Sequence, residues 1–315
     1  MTSPRPDVSF VSSSLDSIAD AHLFSHNAMA TVFEVIIVHG DSRYAQQAAW
    51  AAFDELDKLE RRLSRFIENS DVSRINNLAA EQPLQLSLEA FECLQLCVSL
   101  YDQTGGAFDV TVGSLMGCWL DENKAVRCPS EEEINSVRQH TGLHLIELDE
   151  AGHTVRLLTS PVQIDLGGIG KGYAIDKMAE LLNDWSIDIA LINGGYSSVF
   201  ALGKPMDTKG WHLTLSSPKQ VLSHFYLQDS SVSGSGLLKG RHIIDPRTAR
   251  PVDGKRSAWA CAPTAAVADA LSTAFMVMSP EQIREYCSNH SETLAMVATE
   301  DGKGREKILR YGLWE

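Results

Sequence analysis

Two stretches of this chain carry side chains whose types and spacing suit phosphate and metal chemistry. The first is Val162-Gln163-Ile164-Asp165-Leu166-Gly167-Gly168-Ile169-Gly170-Lys171-Gly172. A short apolar run ends on a carboxylate, and a glycine-rich turn then brings a lysine to the start of a helix. Glycine has no Cβ, so such a turn bends sharply and lets backbone press close to a ligand. A helix start offers unpaired N–H groups and partial positive charge, which suits phosphates, and Lys171 adds a full charge there. Neither familiar phosphate loop fits. A P-loop needs Ser or Thr after its lysine, where Gly172 stands, and Asp165 replaces its first glycine. The dinucleotide fingerprint closes one residue early in Gly168-Ile169-Gly170-Lys171-Gly172. A tight strand-to-helix turn with no ligand also accounts for the segment.

The second stretch lies about a hundred residues on, from Ala265 through Met278. It reads as a buried helix, apolar nearly all round, with Thr264 as its N-cap. Asp269 and Thr273 are one turn apart, so their oxygens share a face. An ionised carboxylate inside such a helix is costly unless it meets a cation or several donors. One carboxylate, one hydroxyl and a nearby backbone carbonyl make an oxygen-only set suited to a hard cation such as Mg²⁺. The alternative is an Asp that caps a neighbouring loop, with Thr273 bonding back to its own helix.

Elements to carry these residues follow from periodicity. Thr31–Val38 reads as a strand and Ser42–Phe66 as a long helix with Phe53, Leu56, Leu59 and Leu63 at core spacing. Leu88–Gln103 is a second helix, stopped by Gly105-Gly106. A hairpin follows over Leu143–Leu148 and His153–Leu158. After the glycine turn come a helix over Tyr173–Trp185, strands around Asp188–Ile192 and Ser197–Leu202, a tight turn at Asn193-Gly194-Gly195, and a strand opening at Trp211. Ser257–Cys261 is a strand leading into the Asp269 helix. A helix near Glu281–Cys287 and strands over Leu294–Ala298 and Lys307–Arg310 close the chain. There is no internal repeat. The layout is mixed rather than alternating βαβ, which predicts a single α+β unit of two lobes over 28–315, preceded by a poorly ordered lead over 1–27.

At 315 residues the chain can bury a large core, and 44% hydrophobic with 22% charged residues is ordinary for a soluble globular protein. A formal net charge of -14 argues against nucleic acid or an anionic membrane as partner. The six cysteines fit no zinc spacing, and Cys93 and Cys97, one helical turn apart, read as small core residues in a reducing compartment. No apolar run is long enough to span a bilayer, and Met1-Thr2-Ser3-Pro4-Arg5-Pro6-Asp7 has neither a secretory nor a lipid-anchor pattern. These features predict a cytoplasmic location without stable membrane insertion, the periplasm being the alternative if a leader has been trimmed.

Asp165 through Asp176 resembles the "DLGGIAKGYAVD" segment of the FAD:protein FMN transferases, the ApbE-like flavin transferase family. Further blocks resemble that family in the same order: Met29-Ala30-Thr31; Leu63-Ser64-Arg65-Phe66 with Ser70 through Asn76; Thr104 through Gly113; His242 through Thr248; and Ala268 through Ala274. The resemblance spans residues 28 to 300 and implies an ApbE-like, T-fold-related architecture. It implies Mg²⁺-dependent transfer of FMN from FAD to a Thr or Ser hydroxyl of an acceptor flavoprotein of an electron-transfer system, with release of AMP. An FAD diphosphatase giving FMN and AMP, or a flavin carrier without turnover, are the alternatives.

By the same resemblance Asp269, Thr273 and the Gly168 carbonyl hold the metal. Ala107, Phe108 and Asp109 line the FAD site, with Asp109 placed for the adenine or a ribose hydroxyl. Met29, Phe66, Asp165 and Ile244 lie at the flavin, and Lys171 meets the phosphates. FAD is anionic, so the site is expected as a positive or metal-bearing island on an acidic surface. His242, the one histidine in a motif, is the candidate proton acceptor for an incoming hydroxyl. The chain departs from the family at several points. Phe66 stands for a common Tyr, Ala30 and Ala249 for Gly, Gly170 for Ala, and Tyr196 for an acidic or amide residue. Ala249 makes a positive φ there less comfortable.

Overall fold

The computed structural model describes residues 8–10, 18–121, 125–195, 197–216, 221–237, 242–300 and 306–313. Eight strands form one sheet and lie side by side in the order the chain makes them. They are Ala21–Ala28, Thr31–Val38, Ala190–Gly194, Ser198–Leu202, Ser230–Gly236, Lys255–Ala262, Leu294–Glu300 and Glu306–Tyr311. Every neighbouring pair is antiparallel. Both faces are covered, so strands carry apolar residues at successive positions. Along Thr31–Val38, Phe33, Val35 and Ile37 enter one core, while Ile36 enters the other.

The first face carries the helices Ser42–Leu63, Gly170–Asp184 and Ala265–Val277. The second is covered by a hairpin of Trp211–Ser216 and Val221–Leu227, flanked by Val8–Phe10. The excursion from residue 39 to 189 holds the remaining lobe. It contains the helices Asp71–Asn76, Leu88–Gln103, Gly113–Trp119 and Glu131–Arg138. A three-stranded sheet of Pro83–Gln85, Thr154–Leu157 and Ile146–Asp149 completes it. The expected α+β unit of two lobes is what the chain forms.

Thr31–Val38 and Leu88–Gln103 have their expected bounds, and Gly105 (φ 58) and Gly106 (φ 73) end the latter. Other bounds are corrected. The folded unit does not wait until residue 28, because Ala21–Ala28 is an edge strand of the large sheet. Its inward positions include His22 and His26, whose polarity hides the alternation. His26 stacks on Phe53 at 5.1 Å and bonds Asp57 at 2.8 Å. The first long helix stops at Leu63, three residues early, where the Ser70 hydroxyl donates to the Ser64 carbonyl at 2.6 Å. The second half of the glycine segment, Gly170-Lys171-Gly172, is already the first turn of the Gly170–Asp184 helix, so that helix starts three residues earlier than expected. Leu143–Leu145 is a 3-10 turn ahead of a shorter hairpin.

Register fixes where the site must lie. Ala28 pairs with Thr31, Gly194 with Ser198, and Gly236 with Ser257, all at one end of the sheet. The Met29-Ala30 turn, the turn after Gly194 and the excursion carrying His242 therefore emerge together.

Candidate functional site

The helix Ala265–Val277 is buried along nearly its whole length, so Asp269, only 3% exposed, has to find donors inside the protein. It finds three. Ser198 Oγ donates to Oδ1 at 3.2 Å, the Gly172 N–H donates to Oδ2 at 3.1 Å, and Lys171 Nζ lies 3.6 Å from Oδ2. The capping alternative is thus realised in part, because Asp269 does hold the start of the neighbouring helix. Thr273 does not simply turn back on its own helix. Its hydroxyl is bonded to Ser235 Oγ at 3.0 Å, and Ser235 also meets Ser272 at 2.8 Å.

Gly168 faces this pair. A Cβ built on it would lie 3.2 Å from Thr273 Oγ1 and 3.5 Å from the Phe108 ring. A side chain there would fill the space between the glycine turn and the Asp269–Thr273 face. That cradle, open only because residue 168 is glycine, fits a small hard cation with oxygen ligands. No group of three or more His, Cys, Asp and Glu side chains stands together among the described residues, so a cation here would rely on hydroxyl and carbonyl oxygens beside the one carboxylate.

Around this centre the sequence candidates fall into two groups. Ala107 and Phe108 are buried, and Phe108 reaches Gly168. Asp165 caps its own turn, accepting from the Gly167 N–H at 2.6 Å, and pairs with Arg65 Nε at 3.0 Å. The Arg65 guanidinium stands 4.7 Å over the Phe66 ring, and Phe66 is 80% exposed. A large apolar ring so open to solvent is a ready stacking partner.

Asp109 and Ile244 are turned inward. Asp109 Oδ1 receives the Thr111 N–H at 2.8 Å and the Thr111 hydroxyl at 2.6 Å, while the Gly142 N–H donates to Thr111 Oγ1. Burial raises its carboxyl above the ordinary range, against the bonds from Thr111. Ile244 packs with Leu115, Cys118, Ile134 and Ala249.

Met29 and Ala30 form the two-residue turn of the first hairpin at φ 49 and 57, and Ala249 sits at φ 59. The chain therefore keeps left-handed backbone at both places where alanine stands for the family's glycine. Ala249 is pinned there by the Trp119 indole, which donates to its carbonyl at 2.8 Å. His242 is half-buried just ahead of the short strand Ile244–Asp245. Arg247 chelates Asp245 at 3.1 and 3.2 Å and reaches the Val277 carbonyl at 3.4 Å. Lys255 donates to the Phe275 carbonyl at 2.8 Å and to that of Met278. Burial and the Arg247 charge pull its ammonium down to about 8. The His242 segment is thus tied to the far end of the Asp269 helix. Asn193 Nδ2 donates to Glu34 at 3.2 Å; Asn193 and Gly194 end the strand Ala190–Gly194, so the turn expected over Asn193-Gly194-Gly195 begins only at Gly195 (φ 66), and Tyr196 lies outside the described residues.

Sequence reasoning missed Ser198, Ser235, Arg65 and Asp176. The first two are serines in strands with no motif around them. Arg65 and Asp176 lay inside quoted motifs without an assigned part. Asp176 accepts from the Ala265 and Ala266 N–H groups at 2.7 and 2.8 Å.

Residues 29–298 match the model of the ApbE family. The FAD:protein FMN transferase of Klebsiella pneumoniae is 27% identical over 302 residues, covering 90% of this chain and 86% of that protein. Its counterpart from Chlamydia muridarum is 29% identical over 253 residues, covering 76% and 78%. Among solved structures, the ApbE protein of Thermotoga maritima superposes with a TM-score of 0.82 at 26% identity, over 92% of this chain and 97% of that one. The flavinyl transferase ApbE of Pseudomonas stutzeri gives 0.83 at 24% identity over 92% and 94%, a likeness of fold.

Proposed function

The chain belongs to the ApbE family, and from that premise we propose that it transfers FMN from FAD to a Thr or Ser hydroxyl of an acceptor flavoprotein, releasing AMP. The observation that carries this reading is the meeting of Asp269, Thr273, Gly168 and Phe108 from three distant segments in one cradle. A divalent cation bound there would neutralise charge on the pyrophosphate as it splits.

The chain's own residues supply the rest. Lys171, in the first turn of the Gly170–Asp184 helix, would bring positive charge to where the phosphates would lie, beside the positive end of that helix. Arg65 and Phe66 offer a face for a flat ring, and Met29 is read as a further flavin contact. The acceptor oxygen bonds to the phosphorus of the FMN half while its proton passes to His242. The bond from that phosphorus to the bridging oxygen breaks, and AMP leaves with that oxygen. Asp109 supports the site from within, because its bonds to Thr111 shape the turn that presents Phe108. The acceptor is read as a flavoprotein of an electron-transfer system. No helix among the described residues is long and apolar enough to cross a membrane.

The test mixes purified protein, FAD and Mg²⁺ with and without a candidate acceptor, and follows AMP release and the acceptor's mass. AMP together with a gain the size of FMN is the expected result. AMP without that gain would make the protein an FAD diphosphatase, and binding without AMP would make it a flavin carrier.

A further inference from the structure

The helix of the glycine turn and the helix of Asp269 begin against one another, and each is held at its start by a carboxylate from the other. Asp269 accepts from the Gly172 N–H at 3.1 Å, in the first turn of Gly170–Asp184. In return Asp176, one turn further along that helix, accepts from the Ala265 and Ala266 N–H groups at 2.7 and 2.8 Å. These are the first two residues of Ala265–Val277. The two backbones touch here, because a Cβ on Gly172 would run into the Ala265 carbonyl. Gly170–Asp184 has no side-chain cap of its own, since Ile169 stands at its N-cap. Unpaired N–H groups at a buried helix start are costly, and a carboxylate there also meets the positive end of the helix.

We propose that Asp176 is a positioning residue: it ties the start of the Asp269 helix to the glycine-turn helix, and so sets the gap between the Asp269–Thr273 face and Gly168. The inference rests on the cation reading of that gap given above. Its logic is asymmetric. A cation drawing on Asp269 competes with the Gly172 N–H for the same carboxylate, so one half of the clasp loosens when the site is used. The Asp176 half has no such second duty and keeps the helices in register. Burial lifts its carboxyl to about 6, with Glu180 adding to the rise and the two N–H groups and Lys177 opposing it, so it is ionised at neutral pH.

The experiment compares wild type, Asp176→Ala, Asp176→Asn and Thr264→Ala. Thr264 caps the same helix through the Val267 N–H at 3.4 Å without bridging to its neighbour, so its loss weakens the helix start but not the clasp. Each protein is melted with FAD over a series of Mg²⁺ or Mn²⁺ concentrations, and the cation concentration giving half of the melting shift is read. Partners that orient metal ligands typically contribute roughly 10- to 100-fold to metal affinity. Asp176→Ala should therefore need about tenfold or more extra cation, Asp176→Asn an intermediate amount, and Thr264→Ala the wild-type amount. FAD affinity without cation should stay near wild type throughout. If the two Asp176 variants saturate like wild type, or Thr264→Ala shifts as far as Asp176→Ala, the positioning role is wrong. Should Asp176→Ala fail to fold, Asp176→Asn alone decides, since equality with wild type overturns the proposal. A wild-type protein showing no cation-dependent shift would instead remove the cation reading, and this inference with it.

Discussion

Val199, Ala201, Val232 and Trp259 leave the large sheet into the layer formed by the Trp211–Leu227 region. Ser198 and Ser235, their neighbours along two of the same strands, leave it toward the helices instead. One face is closed by hydrocarbon, with Trp211, Leu213, Leu215 and Met296 at most 1% exposed. The other face, at the same depth, carries hydroxyls, a carboxylate and a lysine. An apolar layer tolerates small shifts and is favoured in proportion to the area it buries. A buried polar layer is stable only when each group meets its partner, so it fixes distances as well as holding the fold. The site lies on the second kind of surface, where Ser198 and Ser235 orient Asp269 and Thr273.

The sharpest way to break this contrast is Asp269→Asn. The amide keeps the shape and an oxygen for Gly172, but it loses the charge that Lys171 and a cation would meet. AMP release should fall to background while the melting temperature moves by only a few degrees, checked by nucleotide assay and circular dichroism. Activity that persists in excess chelator would detach the polar face from metal chemistry altogether.

Next in size is His242→Ala. A positioned base contributes roughly 10²- to 10⁴-fold, so FMN transfer should slow by that order with little change in FAD affinity. A variant whose whole defect is weaker FAD binding would make His242 a ligand contact instead.

The hydrocarbon face should answer in the opposite way. Trp259 is fully buried and makes no contact with the Asp269 network in the hydrogen bonds described. Trp259→Ala should lower stability by roughly 3–5 kcal/mol, as large-to-small core changes do. Transfer per folded molecule, measured well below the new melting point, should be unchanged. A large loss of turnover in the folded protein would mean that the two faces are coupled.

Legibility in the sequence follows the same divide. Periodic hydrocarbon announced Thr31–Val38, Leu88–Gln103 and the Asp269 helix, because burial alone decides those elements. Ser230–Gly236 went unread, since its Ser-Ser-Val-Ser-Gly-Ser-Gly run is polar for reasons of function and close packing. A Cβ on Gly234 would come within 2.8 Å of the Trp259 ring. Glu131–Arg138 also went unread, although Ser130 and Glu133 make a complete capping box, a pattern visible in the residues themselves. Asp269 and Thr273 could be paired from spacing. Gly168 joined them only through the resemblance, and Ser198, Ser235 and Asp176 act across separations of 71, 38 and 89 residues, which no local pattern encodes.

The smallest expected effect concerns the turn at the rim of the polar face. Met29 and Ala30 both hold positive φ, the two-residue turn that glycine or asparagine normally fills. Left-handed backbone costs an L-residue roughly 1–2 kcal/mol. Ala30 is exposed, so replacing it by glycine opens no cavity and removes that strain. Glycine also gains about 0.4–1 kcal/mol of freedom in the unfolded chain, which offsets part of the relief. Ala30→Gly should therefore stabilise the protein by on the order of 0.5 kcal/mol, the difference of those two effects. Ala30→Val, β-branched at the same φ, should destabilise it. If strain at this turn serves only the fold, FAD affinity will stay constant while the melting point rises. Weaker FAD binding by the more stable Ala30→Gly protein would show that the strained turn holds Met29 against the flavin. A lower melting point for Ala30→Gly would mean that the alanine methyl makes a contact worth more than the strain it causes.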